Sequence, residues 1–278
     1  MPTNSTHEPP GRGPVSGRLS EFWLGWPGLG VKQGATLAGA TLAADEIARF
    51  DALAARWWEP DGPMRPLHRM NPARIGWVAA RVRERFPEVA GLRLLDVGCG
   101  AGIAAEALAR LGFDVLGLDA AAAPIAAAVA HAAIQTGDGR LALAYRVGVA
   151  EDLQAEGASF PVVTALEVVE HVPDAAAFLR VLAGLVAPGG LLVLSTLNRT
   201  AASFVAAKLV AEYALRWLPV GTHDWRKFLT PAELGRDVRG AGLAVRETAG
   251  LTPDLARGGW RVGRDLRVNY LLAATRGK

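Results

Sequence analysis

LLDVGCGAG, residues 94–102, sets a short apolar run directly against an acid and three closely spaced glycines. The run reads as a buried strand, and GIAAEALARL after it reads as a helix ending at Gly112. A glycine turn between a strand and its helix lets backbone N–H groups approach a ligand closely. FDVLGLD, residues 113–119, alternates as a strand and ends on Asp119. An acid about 20 residues beyond such a turn can hold ribose hydroxyls, so the expected ligand is an adenosine derivative.

Outward from this unit the alternation continues. Residues 122–134 read as an Ala-rich helix, LALAYRV (141–147) and VVTALEVV (162–169) as strands, and DAAAFLRVLAGLV (174–186) as a helix closed by Pro188-Gly189-Gly190. LLVLST (191–196) follows as a further strand. Such alternation predicts an α/β fold, a doubly wound, mainly parallel and Rossmann-like sheet with ligands at the carboxyl ends of its strands. Upstream, DEIARFDALAARWW (45–58) repeats Ile47, Phe50, Leu53 and Trp57 at helical spacing until Pro60, Gly62 and Pro63 stop it. Residues 1–38 are rich in Pro, Gly, Ser and Thr and read as a tail carrying Trp23 and Trp26.

Composition bounds the function. With 278 residues, 51% of them hydrophobic, the chain can bury a sizeable core. A formal charge of +3 from 30 basic and 27 acidic residues forms no basic excess of the kind nucleic acid requires. The single cysteine, Cys99, excludes an internal disulfide and a multi-cysteine metal site and suits a reducing, cytoplasmic setting. No stretch of about 18 consecutive apolar residues and no secretory signal pattern is visible.

Nicotinamide dinucleotide and S-adenosylmethionine both fit an adenosine site, and charge separates them. Asp96 stands two residues before Gly98, and the glycines Gly98, Gly100 and Gly102 follow G-x-G-x-G rather than G-x-G-x-x-G. A carboxylate there repels a pyrophosphate but suits a ligand with an ammonium and a sulfonium. Asp96, Gly98 and Gly100 are therefore expected at the methyl donor, and an NAD-dependent oxidoreductase is the disfavoured alternative.

The blocks RWWEPDGPMRPLHRMNPARIGWV, LLDVGCGAGI, ALEVVEHV, STLNRT, GTHDWRKFLTPAEL and VNYLLAATR resemble the ubiquinone biosynthesis O-methyltransferases, within the class I S-adenosylmethionine-dependent methyltransferases. The resemblance runs from about Ala44 to the C-terminus. It implies a seven-stranded sheet over residues 39–278, with a helical lid at 39–90 and an insertion at 199–230. It also implies cofactor contacts at Arg74, Gly98, Asp119 and Leu166. Arg74 would grip the methionine carboxylate, Asp119 would accept from the ribose hydroxyls and Leu166 would line the wall of the pocket. Two departures stand out. Gly148-Val149-Ala150 lacks the acid common after the third strand, which leaves the adenine amine to Glu151 or to backbone. Pro161 replaces an Asp at the start of the fourth.

Glu167, Glu170 and His171 lie together at the end of the fourth strand, where three such groups are costly to leave unpaired. The E-x-x-E-H spacing resembles a set thought to hold Mg²⁺ in eukaryotic relatives. Two carboxylates suit that ion and an imidazole does not, so the readings are a metal site, His171 as a metal-free general base, or capping alone.

Within residues 200–218, Lys208, Glu212 and Arg216 form a narrow charged stripe on an otherwise apolar pattern that includes Phe204, Leu209 and Trp217. The pattern alone fits a core helix or a helix at a lipid boundary. The resemblance implies polyprenyl phenol and quinol substrates, 2-polyprenyl-6-hydroxyphenol and 3-demethylubiquinol. It thereby favours peripheral attachment to the inner face of an anionic membrane, beside other enzymes of the pathway. A non-catalytic adaptor that binds the methyl donor is the third reading, opposed by the intact acid and histidine cluster.

Overall fold

The computed structural model describes residues 44–135, 141–204, 225–254, 256 and 258–278. The expected tail, 1–38, and most of the expected amphipathic helix, 205–218, lie outside the described residues.

The strands are β1 (Arg93–Val97), β2 (Asp114–Asp119), β3 (Leu143–Val147), β4 (Phe160–Leu166), β5 (Val186–Leu197), β6 (Leu243–Asp254), β7 (Gly259–Gly263) and β8 (Asn269–Arg276). They form one sheet in the order β3-β2-β1-β4-β5-β8-β6-β7. Four of its seven pairings are parallel, those joining β3 through β5, and β8, β6 and β7 add antiparallel. The strand order reverses between β1 and β4, and the crevice for a ligand opens there.

The expected seven strands become eight. The extra edge strand, β7, is a five-residue GWRVG flanked by glycines, and it takes its ladder from β6. So short a segment has too little periodicity to be read without its partner. A second correction concerns VVTALEVV, read as strand through residue 169. The strand stops at Leu166, Glu167 takes φ 59, and Val169–His171 form a 3-10 turn. β-branched valines supply strand propensity there, but the backbone has already turned under the hold of neighbouring strands. Pro161 sits at the entry to β4, where pairing with β5 shifts register between Phe160 and Val162, so no ladder hydrogen bond is lost from the strand interior.

The helices are α1 (Ala44–Leu53), α2 (Arg65–Arg85), α3 (Ile103–Arg110), α4 (Ala122–Gln135), α5 (Ala150–Ala155), α6 (Ala175–Leu185), α7 (Ala201–Ser203) and α8 (Pro231–Gly240). The 21-residue α2 starts with a proline in its first turn and tolerates Pro72 in its interior. It buries Met70, Arg74, Ile75, Trp77, Val78 and Val82. That face shares a core with Leu94, Val162, Val193 and Leu271 from the sheet and with Phe113 just before β2. Packing therefore overrides a proline that costs about 3 kcal/mol in an isolated helix.

Candidate active site

The glycine turn is tied to β2. The N–H groups of Gly98 and Cys99 donate to the carbonyl of Leu118 at 2.8 and 3.1 Å. Gly98 has φ 69, and a Cβ there would lie 2.5 Å from a methyl of Val168. Only glycine fits. At Gly100 a Cβ would meet the ring of Trp57 at 2.5 Å, so an aromatic residue from the N-terminal segment lies directly on the turn.

Asp119, at the end of β2, accepts the N–H of Gly100 through Oδ2 at 2.8 Å and that of Ala121 through Oδ1 at 2.9 Å. Each oxygen keeps a lone pair for a further donor. Burial pushes its carboxyl above the ordinary range, and these two N–H bonds pull it back. On the same rim, the N–H of Gly148 donates to the Asp119 carbonyl at 2.9 Å.

Deeper in the crevice, Asp96 is buried on β1 and accepts from the Thr164 hydroxyl at 2.7 Å. Its second oxygen, Oδ2, has no hydrogen-bond partner in the protein. Burial pushes its pKa up to about 6, opposed by the Thr164 bond and by Arg74. Arg74 is 3% exposed, which excludes a surface salt bridge. Its Nη2 donates to Asn71 Oδ1 at 3.0 Å, Asn71 donates to the Ile103 carbonyl at 2.9 Å, and the Nε of Arg74 is unpartnered. Desolvation lowers the Arg74 pKa, while Glu167, Asp96 and Glu170 raise it. One guanidinium thus sits in the field of three acids. A ligand bringing two positive charges and one carboxylate complements that field.

Glu167 is the one non-glycine residue with positive φ among the described residues. Its N–H donates to the Ser195 carbonyl at 3.0 Å, and its carboxylate accepts from the Ser195 hydroxyl at 2.6 Å and from Asn269 Nδ2 at 2.9 Å. Glu170 is buried, accepts from the Thr196 hydroxyl at 2.8 Å through Oε2, and leaves Oε1 without a partner. Burial first, and Glu167 second, push its pKa up to about 7. His171 is buried, with its ring edge-on to Phe50 at 5.4 Å.

Glu167 turns its two oxygens to Ser195 and Asn269, and among the described residues no three His, Cys, Asp or Glu side chains are grouped to hold an ion. Leu166, the last residue of β4, packs in the core cluster and is 7% exposed. Ser195, Thr196 and Asn269 were not assigned roles from sequence. Ser195 and Thr196, in STLNRT, reach the acids through the parallel pairing of β4 with β5, and Asn269, in VNYLLAATR, reaches them through the antiparallel pairing of β5 with β8.

A methyltransferase domain model matches residues 70–248. The ubiquinone biosynthesis O-methyltransferase of Azorhizobium caulinodans is 48% identical over 242 residues, covering 84% of this chain and 94% of that one. That of Methylobacterium sp. strain 4-46 is 46% identical, covering 86% and 97%. The chain belongs to the ubiquinone biosynthesis O-methyltransferase family. Membership makes it an S-adenosylmethionine-dependent methyltransferase and disposes of the nicotinamide alternative. Its fold is similar to that of the magnesium protoporphyrin IX methyltransferase of Synechocystis PCC 6803, solved with bound S-adenosylhomocysteine. The TM-score is 0.59 at 20% identity, over 84% of this chain and 99% of that one. The crevice at the carboxyl ends of β1, β2 and β4 is the switch point of this sheet, where open α/β sheets take their ligands.

Proposed function

We propose that the chain transfers the methyl group of S-adenosylmethionine to a phenolic hydroxyl of polyprenyl catechol and quinol intermediates, 2-polyprenyl-6-hydroxyphenol and 3-demethylubiquinol. The observation that carries the reading is the group of buried Arg74, Asp96 and Glu170 with half-buried Glu167, beside buried His171. Arg74 takes the methionine carboxylate, and the free oxygen of Asp96 takes the ammonium. Asp119, already oriented by two N–H groups, accepts the ribose hydroxyls, and Leu166 contributes wall.

His171 then accepts the phenol proton as the phenolate oxygen attacks the methyl carbon in line with the departing sulfur. One O–C bond forms, one C–S bond breaks, and the sulfonium leaves as the neutral thioether. Glu170 stabilises the imidazolium formed, and Glu167 holds the substrate side of the site. No step is routed through a metal.

The insertion at 199–230 supplies the route for a prenyl chain in this proposal. Its two described ends meet, with Phe204 edge-on to Trp225 at 6.1 Å and the Trp225 indole N–H on the Thr200 carbonyl at 3.0 Å. Phe204 is 39% exposed at that point. The apolar sequence pattern of residues 200–218, broken only by the stripe Lys208, Glu212 and Arg216, supports an element at the lipid boundary. No described helix is long and apolar enough to cross a membrane. The proposed attachment is peripheral, on the cytoplasmic face, near other enzymes of the pathway.

A lipid extract of cells lacking the protein tests the reading. Accumulation of a demethylated quinone precursor, and methylation of it by the purified protein, is expected. Normal ubiquinone with no precursor refutes it.

A further inference from the structure

The N-terminal segment lies over the site, and its fastening is not explained by methyl transfer. Phe50 of α1 meets His171, and Trp57, after the 3-10 turn Ala54–Arg56, lies against Gly100. Trp58 points the other way. Its ring stacks on the imidazole of His131 in α4, with centroids 3.4 Å apart and planes within 4°. Its indole N–H donates to the carbonyl of Ala101, inside the donor turn, at 2.9 Å.

The imidazole is itself anchored. His131 Nδ1 lies 2.7 Å from Glu106 Oε2, and Arg110 pairs with the other oxygen of Glu106. Glu106 is fully buried. A buried carboxylate is costly to keep, and here its two oxygens are spent on orienting one ring and one guanidinium. On the remaining side His68 of α2 has its ring 5.7 Å from Trp58 and its Nε2 on the carbonyl of Trp57 at 2.9 Å.

We infer that the Trp58–His131–Glu106 stack is a latch that holds the N-terminal segment over the methyl-donor turn and so sets how fast the donor product leaves. The inference rests on the placement of the donor in the crevice beneath Trp57. Trp57 and Phe50 cover the turn and the base, so exchange of donor for product requires the segment to lift. What resists lifting is the stack and the Trp58–Ala101 bond, both outside the reacting groups. Trp58, His131 and Glu106 are positioning residues, and they act on donor exchange rather than on the phenol.

The test compares the full-length wild type with Trp58→Leu, His131→Leu and Trp58→Phe. S-adenosylhomocysteine dissociation is followed by stopped flow, and KM is measured for S-adenosylmethionine and for a short-chain catechol. Both leucine variants are expected to release S-adenosylhomocysteine about tenfold faster and to raise the donor KM alike, since a stack and a hydrogen bond are lost. The catechol KM should hold in both and the thermal midpoint in Trp58→Leu, whereas His131→Leu should lower the midpoint by leaving an oxygen of buried Glu106 unpaired, and Trp58→Phe, which keeps the stack, should recover most of the effect. Unchanged dissociation in both leucine variants overturns the latch. So does a parallel rise of both KM values with a lowered midpoint that Trp58→Phe does not rescue. A wild type that fails to bind S-adenosylhomocysteine at all overturns the donor site itself, a separate failure visible before any variant is made.

Discussion

Gly100 and Asp119 are nineteen residues apart, and the backbone N–H of the first donates to the carboxylate of the second at 2.8 Å. One acid therefore shapes the turn and presents lone pairs to the ribose. Asp119→Ala should weaken S-adenosylhomocysteine binding at least tenfold, by loss of charge-assisted bonds worth roughly 1.5–3 kcal/mol each. It should also cost the fold about 1–2 kcal/mol, because Gly100 and Ala121 lose their acceptor. Asp119→Asn keeps an acceptor and should retain more of both. Calorimetric titration and urea melts read the two effects separately.

His171→Ala should lower turnover by about 10² or more, with partial recovery at high pH where the phenol ionises unaided. Binding of S-adenosylhomocysteine should change little. A turnover within a few-fold of wild type would remove His171 from the role of base.

Glu170 ties stability to pH. Its folded pKa, about 7, stands above the ordinary 4.5, so the folded state binds the proton more tightly than the unfolded chain does. The contribution of Glu170 to stability is then greatest below about pH 4.5, falls as pH rises towards 7, and stays low above it. Asp96, raised to about 6, adds a slope of the same sign. Glu170→Gln keeps an acceptor for Thr196 and should flatten part of this decline. Urea midpoints between pH 5 and pH 8 for both proteins check it.

Glu167 pays for its hydrogen bonds in backbone conformation. At φ 59 an L-residue is strained by roughly 1–2 kcal/mol and glycine is not. Both Glu167→Gly and Glu167→Ala lose the bonds to Ser195 and Asn269, but the glycine variant should be the more stable by about 1 kcal/mol, the reverse of the usual order. Equal urea midpoints for the pair would show that the strain is absent.

The insertion should bind anionic lipid reversibly. Replacing Phe204, Leu209 and Trp217 together by Ser should reduce flotation with anionic liposomes, and salt should weaken wild-type flotation as it screens Lys208 and Arg216. Activity on a short soluble catechol should survive. An unfolded triple variant, or a wild type that never floats, places the segment in the core.

The chain order alone determined the strand–turn–helix around Gly98 and Gly100, the position of Asp119, the alternation that makes β1 to β5 parallel, and the closeness of Glu170 to His171. These are local properties: period, glycine spacing and neighbours in sequence are all that the backbone needs to build them. Tertiary structure alone decided the rest. It buried Arg74 on a helix that contains Pro72, stopped β4 at Leu166, and brought Asn269 across 102 residues to Glu167. It also laid Trp58 flat on His131. None of these leaves a periodic trace, because each depends on which strand pairs with which and on what the packed core excludes. A carboxylate reads the same in sequence whether water or an asparagine from another strand will satisfy it, and only burial decides between the two.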